Sequence, residues 1–158
     1  MKPLILGLGN DILRDDGFGI HVIAKLKDAG IGDTADLRAS CLAGFSLLDL
    51  LRERKRVLII DAGVLPDLQP GELRMLRDTD LACTAHLYSQ HQADLPTILK
   101  FGRSLDIPLP DSVDLLICGA GDVITLSESL SPEVEKTLPK AVSMALEWLE
   151  HVAQPVSA

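Results

Sequence analysis

Two carboxylates and a histidine in this sequence stand where they could act together on a metal ion or on water. The first apolar run of the chain is followed by Asn10, Asp11, Asp15 and Asp16, while Asp61 ends the apolar run VLIID. A polar stretch further along contains His86 and His91. Carboxylate oxygens and one imidazole nitrogen form the ligand set expected for a borderline divalent metal such as nickel or zinc, or for acid–base chemistry on water.

Each of these residues also has a structural interpretation that the sequence leaves open. Asp15 or Asp16 could cap the helix that follows, because aspartate side chains in turns bind neighbouring amides. Asp61 is harder to explain in this way, since a carboxylate at the end of a buried strand must be solvated, paired or bound. A loop histidine such as His91 need have no task of its own. The chemical hypothesis therefore depends on a fold that brings these side chains together.

The pattern of apolar residues predicts such a fold. Apolar runs of strand length alternate with longer stretches of helical periodicity, which is typical of βαβ units around a mainly parallel sheet. In such a sheet the ligand crevice lies beyond the carboxyl ends of the strands, where the acidic residues are found. GELRML has the mixed pattern of an edge strand or of a strand with a half-exposed face. The predicted strands are PLILGL, ADLRAS, RVLIIDAG, GELRML and VDLLICGAG.

Four helices are predicted between and after these strands. In the last, Ser131 is predicted as the N-cap and Pro132 as the first helical residue, and Pro139 is expected to kink the helix because proline lacks an amide hydrogen. Residues 78–92 lose the periodicity and are predicted as a loop. The predicted helices are FGIHVIAKLKDAG, AGFSLLDLLRER, LPTILKFGRSL and SPEVEKTLPKAVSMALEWLEHV.

The length and the cysteines indicate one domain without covalent crosslinks. The chain has 158 residues, which is enough for one core, and we expect a single domain over residues 1–153 with a loose tail at 154–158. Three cysteines at positions 41, 83 and 118 are widely separated and form no C-x-x-C pair. Buried thiols are therefore expected, rather than disulfides or a zinc site.

The composition favours neither nucleic acid nor membrane as a partner. Hydrophobic residues make up 47% and charged residues 24% of the chain, which argues against disorder. The net charge is −8, and without a cluster of lysine and arginine nucleic acid is an unfavourable partner. The sequence contains no signal-peptide core and no apolar stretch near the roughly 18 residues of a membrane span. We expect a cytoplasmic protein, and nothing in the sequence requires more than a monomer.

Three resemblances that short motifs suggest fail when the flanking residues are considered. GLGNDI lacks the third glycine of a dinucleotide fingerprint, and two aspartates follow where a pyrophosphate would bind. LILGLGN resembles the opening of peptidyl-tRNA hydrolases, but their Asn-Pro-Gly and Thr-Arg-His-Asn stretches do not follow. IIDAG resembles the aspartic-protease signature, which belongs to an all-β family that pairs two such motifs.

Taken together, five segments resemble the [NiFe]-hydrogenase maturation endopeptidases over nearly the whole chain. The first looks like the family's G-x-G-N box followed by Asp-Asp/Glu and a glycine, and the fourth looks like its Ser-x-His box before a helix. CGAGDVIT departs from the Gly-x-x-Pro that often follows the last strand in this family, which predicts an altered loop. The five segments are LGLGNDILRDDGFG, CLAGFSLLDLL, VLIIDAG, SQHQADLPTIL and SLSPEVEKTLPKAVSMALEWL.

The resemblance implies a fold and an activity. The fold is an α/β three-layer αβα sandwich of the phosphorylase/hydrolase type, with a mainly parallel, twisted sheet of about five strands. The activity is removal of a C-terminal extension from a [NiFe]-hydrogenase large-subunit precursor after nickel insertion. Nickel is the implied cofactor, supplied by the substrate and not held permanently. The absence of a Gly-x-Ser-x-Gly elbow agrees with proteolysis that uses no nucleophile triad.

The resemblance also assigns the site residues. The family's metal-contacting acidic residue falls on Asp16, its second carboxylate on Asp61 and its histidine on His91, and these three are predicted as metal-contacting and catalytic. His86 is the alternative histidine, and His91 is preferred for its spacing to the next helix. Asp15 stays open as a cap, a partner of the site or a bystander.

Two other functions stay open from sequence. One is a non-enzymatic nickel-binding checkpoint module that recognises the loaded large subunit without cutting it. The other is a peptidyl-tRNA hydrolase-like esterase, against which the acidic charge and the missing histidine motif argue.

Gly19 and Gly44 are expected to allow close approach of the substrate backbone or of a helix to a strand.

Overall fold

Five strands form one sheet in the part of the chain that the computed structural model describes, residues 1–78 and 95–153. The order across the sheet is β2-β1-β3-β5-β4. All neighbours are parallel except β4, which pairs antiparallel with β5 at one edge. The mainly parallel sheet and the edge position of GELRML are therefore confirmed. The strands are β1 (Leu4–Leu8), β2 (Asp36–Ser40), β3 (Arg56–Gly63), β4 (Leu73–Leu76) and β5 (Ser112–Gly119).

Helices cover both faces of this sheet. α1 and α5 pack on one face and α2 and α3 on the other, each pair over its own apolar core. The central strands are buried on both sides, as their continuous apolar sequences require. This arrangement is the predicted three-layer sandwich. The helices are α1 (Phe18–Asp28), α2 (Leu47–Leu51), α3 (Leu95–Ser104), α4 (Pro132–Glu135) and α5 (Leu138–Ala153), with 3₁₀ turns at Arg14–Gly17, Ile31–Asp33 and Gly44–Ser46.

The last predicted helix is two helices, not one kinked helix. α4 ends at Glu135 and α5 begins at Leu138, so Pro139 lies in the first turn of a new helix, where its missing amide hydrogen costs no intrahelical bond. Pro132 occupies the start of α4 as predicted. Ser131 is at the N-cap position, but its side chain makes no capping hydrogen bond. That hydroxyl is bound elsewhere, as described below.

The glycines that follow β1 allow α1 to lie directly on the sheet. A Cβ atom at Gly19 would overlap the backbone oxygens of Ile60 and Leu8, and one at Gly7 would overlap the backbone oxygen of Gly19. The predicted close approach at Gly19 is therefore that of helix to strand. Gly44 has open space around it and a φ of +59°, so backbone conformation explains that glycine.

The prediction of buried thiols is correct for Cys118 and wrong for Cys41, which is exposed in the loop that follows the edge strand β2. Cys83 and most of the predicted loop at 78–92 lie outside the described residues, as does the predicted tail at 154–158. None of the helices within the described ranges has the length and apolar character to span a membrane.

Candidate active site

Asp61 is a fully buried carboxylate near the carboxyl end of the central strand β3. Its neighbours Ile60 and Ala62 face the core under α1 and α5, so alternation along the strand turns Asp61 toward the opposite side. One of its oxygens, Oδ1, accepts a hydrogen bond of 2.8 Å from the amide of Ala62. The Asp61 carboxylate is therefore out of bulk water and lies where the sequence places it, at the carboxyl end of a central strand. Its chemical role stays a prediction.

Asp16 also lies at the carboxyl ends of the strands, in the 3₁₀ turn Arg14–Gly17 that joins β1 to α1. It is 1% exposed, and its turn contacts β3, the strand that carries Asp61. Its Oδ2 accepts a hydrogen bond of 3.0 Å from the amide of Asn10, whose amide also lies 3.3 Å from the backbone oxygen of Asp16. A Cβ at Gly9 would overlap that backbone oxygen, so the G-x-G-N box lets the loop fold back on the turn.

These two carboxylates provide oxygen ligands of the kind that a divalent metal or a water molecule would meet. A buried carboxylate needs a cation or hydrogen-bond donors beside it, because burying an isolated charge is costly in free energy. Among residues 1–78 and 95–153, no three acidic, histidine or cysteine side chains group as metal ligands. The predicted histidine ligand, His91, and its alternative, His86, lie outside the described residues, so the choice between them stays a prediction.

Asp15 has a different role from its neighbour. Its carboxylate is fully buried and accepts four hydrogen bonds, from the amides of Gly121 (2.9 Å), Asp122 (3.0 Å) and Ser131 (2.7 Å) and from the Ser131 hydroxyl (2.8 Å). α1 has no side-chain cap, so the interpretation of Asp15 as a helix cap is wrong. Asp15 instead fastens the turn that carries Asp16 to the loop of residues 120–131, here named the β5–α4 loop.

The β5–α4 loop is ordered by its own hydrogen bonds. Oδ1 of Asp122 accepts the amides of Ile124 and Thr125, both at 3.0 Å, and Oδ2 accepts the Thr125 hydroxyl. These donors lower the pKa of Asp122 to about 2, because they stabilise the charged carboxylate. The departure of CGAGDVIT from the family pattern was the one signal in the sequence that this loop is distinctive, and the bonds to Asp15 were not foreseen.

The β5–α4 loop and the loop that follows β1 form one unit. The amide of Arg14 donates to the carbonyl of Ser127 (2.9 Å), and the amide of Ser127 donates to the carbonyl of Ile12 (3.0 Å). Leu13 and Ser127 are paired as in a short parallel strand. Two loops that are hydrogen-bonded to each other therefore border the carboxyl ends of the strands, where Asp16 and Asp61 lie.

Comparison with known proteins shows a family for this chain. Residues 20–148 match the family model HycI, described as hydrogenase maturation protease. The chain is 28% identical over 149 residues to the Hydrogenase 2 maturation protease of Escherichia coli, a match that covers 87% of this chain and 89% of that protein. It is 25% identical over 159 residues to the hydrogenase expression/formation protein HupD of Bradyrhizobium diazoefficiens, covering 99% and 82%.

Solved structures share the fold. The hydrogenase maturating endopeptidase HybD from E. coli superposes with a TM-score of 0.80 at 26% identity, covering 96% of this chain and 94% of that one. The [NiFe] hydrogenase maturation protease HybD from Thermococcus kodakarensis gives a TM-score of 0.74 at 26% identity, covering 94% and 99%. These matches confirm the resemblance and the fold class predicted from sequence. The chain belongs to the hydrogenase maturation protease family and is a hydrolase of peptide bonds.

Proposed function

We propose that this protein removes the C-terminal extension of a [NiFe]-hydrogenase large-subunit precursor after nickel insertion. The observation that carries the proposal is the pair of buried carboxylates, Asp16 and Asp61, at the carboxyl edge of the sheet. Ligands of open α/β sheets bind at that edge. The family to which the chain belongs acts in hydrogenase maturation, and the large subunit is the substrate that this role implies.

Nickel enters this proposal as part of the substrate. Asp16 and Asp61 offer oxygen atoms to the metal, and His91 adds a nitrogen, a set that suits nickel. Three side chains from separate parts of the chain make a weak site for a free ion, whereas nickel seated in the precursor arrives with the rest of its ligands. Contact with the metal then places the scissile peptide bond beside the carboxylates. The attacking water is activated by one of the carboxylates or by the nickel.

The proposed enzyme is a cytoplasmic monomer that needs neither a membrane nor nucleic acid. Its net charge of −8 makes association with nucleic acid unfavourable. Its proposed substrate is a protein, so recognition can involve surfaces beyond the two carboxylates.

The test is direct incubation of the purified chain with nickel-loaded and nickel-free precursor, followed by mass spectrometry of the precursor. We expect loss of a C-terminal peptide from the nickel-loaded form only. Stable binding of the loaded precursor without any loss of mass would contradict the proposal and would identify the chain as a non-enzymatic checkpoint module. Equal cleavage of both forms would overturn the role of nickel.

A further inference from the structure

Two aliphatic side chains at the tip of the β5–α4 loop are almost fully exposed. Ile124 is 84% exposed and Leu126 is 76% exposed. They lie in the stretch Val-Ile-Thr-Leu-Ser at residues 123–127, which contains no charged residue. Ile12, 49% exposed, belongs to the neighbouring loop that is bonded to this one. Clustered apolar side chains in water are unfavourable and mark an interaction site, whereas isolated ones do not.

The hydrogen bonds of the loop fix these side chains in place. The Asp122 carboxylate holds the amide of Ile124 itself, and the Asp15 carboxylate holds the base of the loop at Gly121 and Asp122. The loop therefore pays little conformational entropy when it binds a partner, because its backbone is already ordered. Exposed aliphatic groups on an ordered loop are a preformed contact.

The position of the loop identifies its partner. The amide of Arg14 is bonded to Ser127, and Arg14 begins the turn that carries Asp16. The β5–α4 loop is therefore a direct neighbour of the turn that carries Asp16. We propose, as an extension of the proposed function on which it rests, that Ile124 and Leu126 are specificity-determining residues that dock an uncharged, apolar patch of the large-subunit precursor.

A second copy of this chain fits the surface less well. A stable protein interface buries roughly 800 Å² on each partner, far more than two aliphatic side chains can cover. A precursor that is also held at Asp16 and Asp61 needs only this additional contact. The continuity of the loop with the candidate site thus favours the substrate as the occupant.

The test compares Ile124→Ser/Leu126→Ser with wild type on nickel-loaded precursor. We expect KM, and the dissociation constant of the precursor measured by calorimetry, to rise about tenfold or more as two aliphatic contacts are lost. The value of kcat at saturating precursor should be unchanged, because neither side chain belongs to the proposed chemistry. The matched control is Leu105→Ser. The Leu105 side chain is 56% exposed and lies in the segment before β5, at the amino ends of the strands. This substitution should leave KM unchanged.

Four outcomes would overturn the docking role. They are an unchanged KM, an equal rise in the control, a lowered melting temperature that shows packing within the chain, and conversion of a wild-type dimer to a monomer on size exclusion. Failure of the proposed function is a separate result, in which wild type binds precursor without cutting it. The dissociation constants of wild type and variant would still test the docking contact in that case.

Discussion

Asp15 uses both carboxylate oxygens to hold the β5–α4 loop, whereas its neighbour Asp16 accepts a hydrogen bond from Asn10 in its own loop. A carboxylate that takes part in hydrolysis must exchange partners during the reaction. Four hydrogen bonds from a distant loop oppose such an exchange, because the buried donors of Ser131 would be left unsatisfied. At the scale of single residues, Asp16 and Asp61 are therefore the candidates for chemistry, and Asp15 is a structural neighbour.

Asp16→Asn and Asp61→Asn should leave precursor uncut while the fold is retained. Each change removes a negative charge from the proposed metal contact and a proton acceptor from the site, so kcat/KM should fall at least about 100-fold. Mass spectrometry of the precursor measures activity, and circular dichroism checks the fold. Asp11 is an exposed aspartate between β1 and the turn that carries Asp16. Asp11→Asn is therefore the matched control and should cut precursor normally. Normal processing by Asp61→Asn would refute the proposed site.

The two histidines can be separated in the same assay. His91→Ala should abolish processing, since the imidazole is the proposed nitrogen ligand for the precursor's nickel. His86→Ala should process precursor at the wild-type rate. If the two variants behave in the opposite way, the ligand is His86 and the assignment based on spacing to the next helix is wrong.

At the scale of elements, the turn at Arg14–Gly17 and the β5–α4 loop support each other through Asp15. Asp15→Asn provides one acceptor oxygen where the carboxylate provides two, so at least one donor loses its partner. We expect the free energy of unfolding to fall by about 1–3 kcal/mol. Ser131→Ala, which removes only the hydroxyl donor, should cost about 1 kcal/mol. Urea titration measures both, and an Asp15→Asn variant as stable as wild type would show that these bonds are unimportant.

Sequence patterns predicted the elements better than the contacts between them. β3 and β5 are recognisable because strands buried on both faces must be apolar throughout, and α1 begins at Phe18, where the predicted helix FGIHVIAKLKDAG begins. The break between α4 and α5 was missed, since the apolar spacing continues across it. The partners of Asp15 lie 106 to 116 residues away in the chain, and no local pattern encodes a contact over that distance. Asp61 and the pair Asp15–Asp16 could be singled out because strand ends converge in parallel sheets, and the choice of Asp16 within the pair came from the family resemblance.

At the scale of the whole molecule, stability rests on two cores separated by the sheet, and polar anchors tie the helices to it. The indole Nε1 of Trp148 in α5 donates to the Asp114 carboxylate of β5 at 2.7 Å. Cys118 lies on the same side of β5, fully buried in the core beneath α1 and α5. Burial raises the pKa of its thiol from 9.0 to about 11, because the thiolate would lose its hydration.

This thiol predicts a loss of stability at alkaline pH. Its pKa is higher in the folded chain than in the unfolded one, so its contribution is fully present below about pH 9 and is lost as pH rises toward 11. The difference in pKa corresponds to roughly 3 kcal/mol in the free energy of unfolding. Urea unfolding of wild type and Cys118→Ala at pH 7 to 11, under reducing conditions, should show a shallower decline for the variant. Cys41→Ala, at an exposed thiol, should decline as wild type does, and parallel curves for all three proteins would contradict the assignment.

Because no side chain fits between β1 and α1 at Gly7 and Gly19, the turn that carries Asp16 is held at a fixed height above the sheet. Under the proposed function, nickel in the precursor bridges the distance between the precursor and the carboxylates of Asp16 and Asp61. A precursor without the metal does not span this fixed distance and stays uncut.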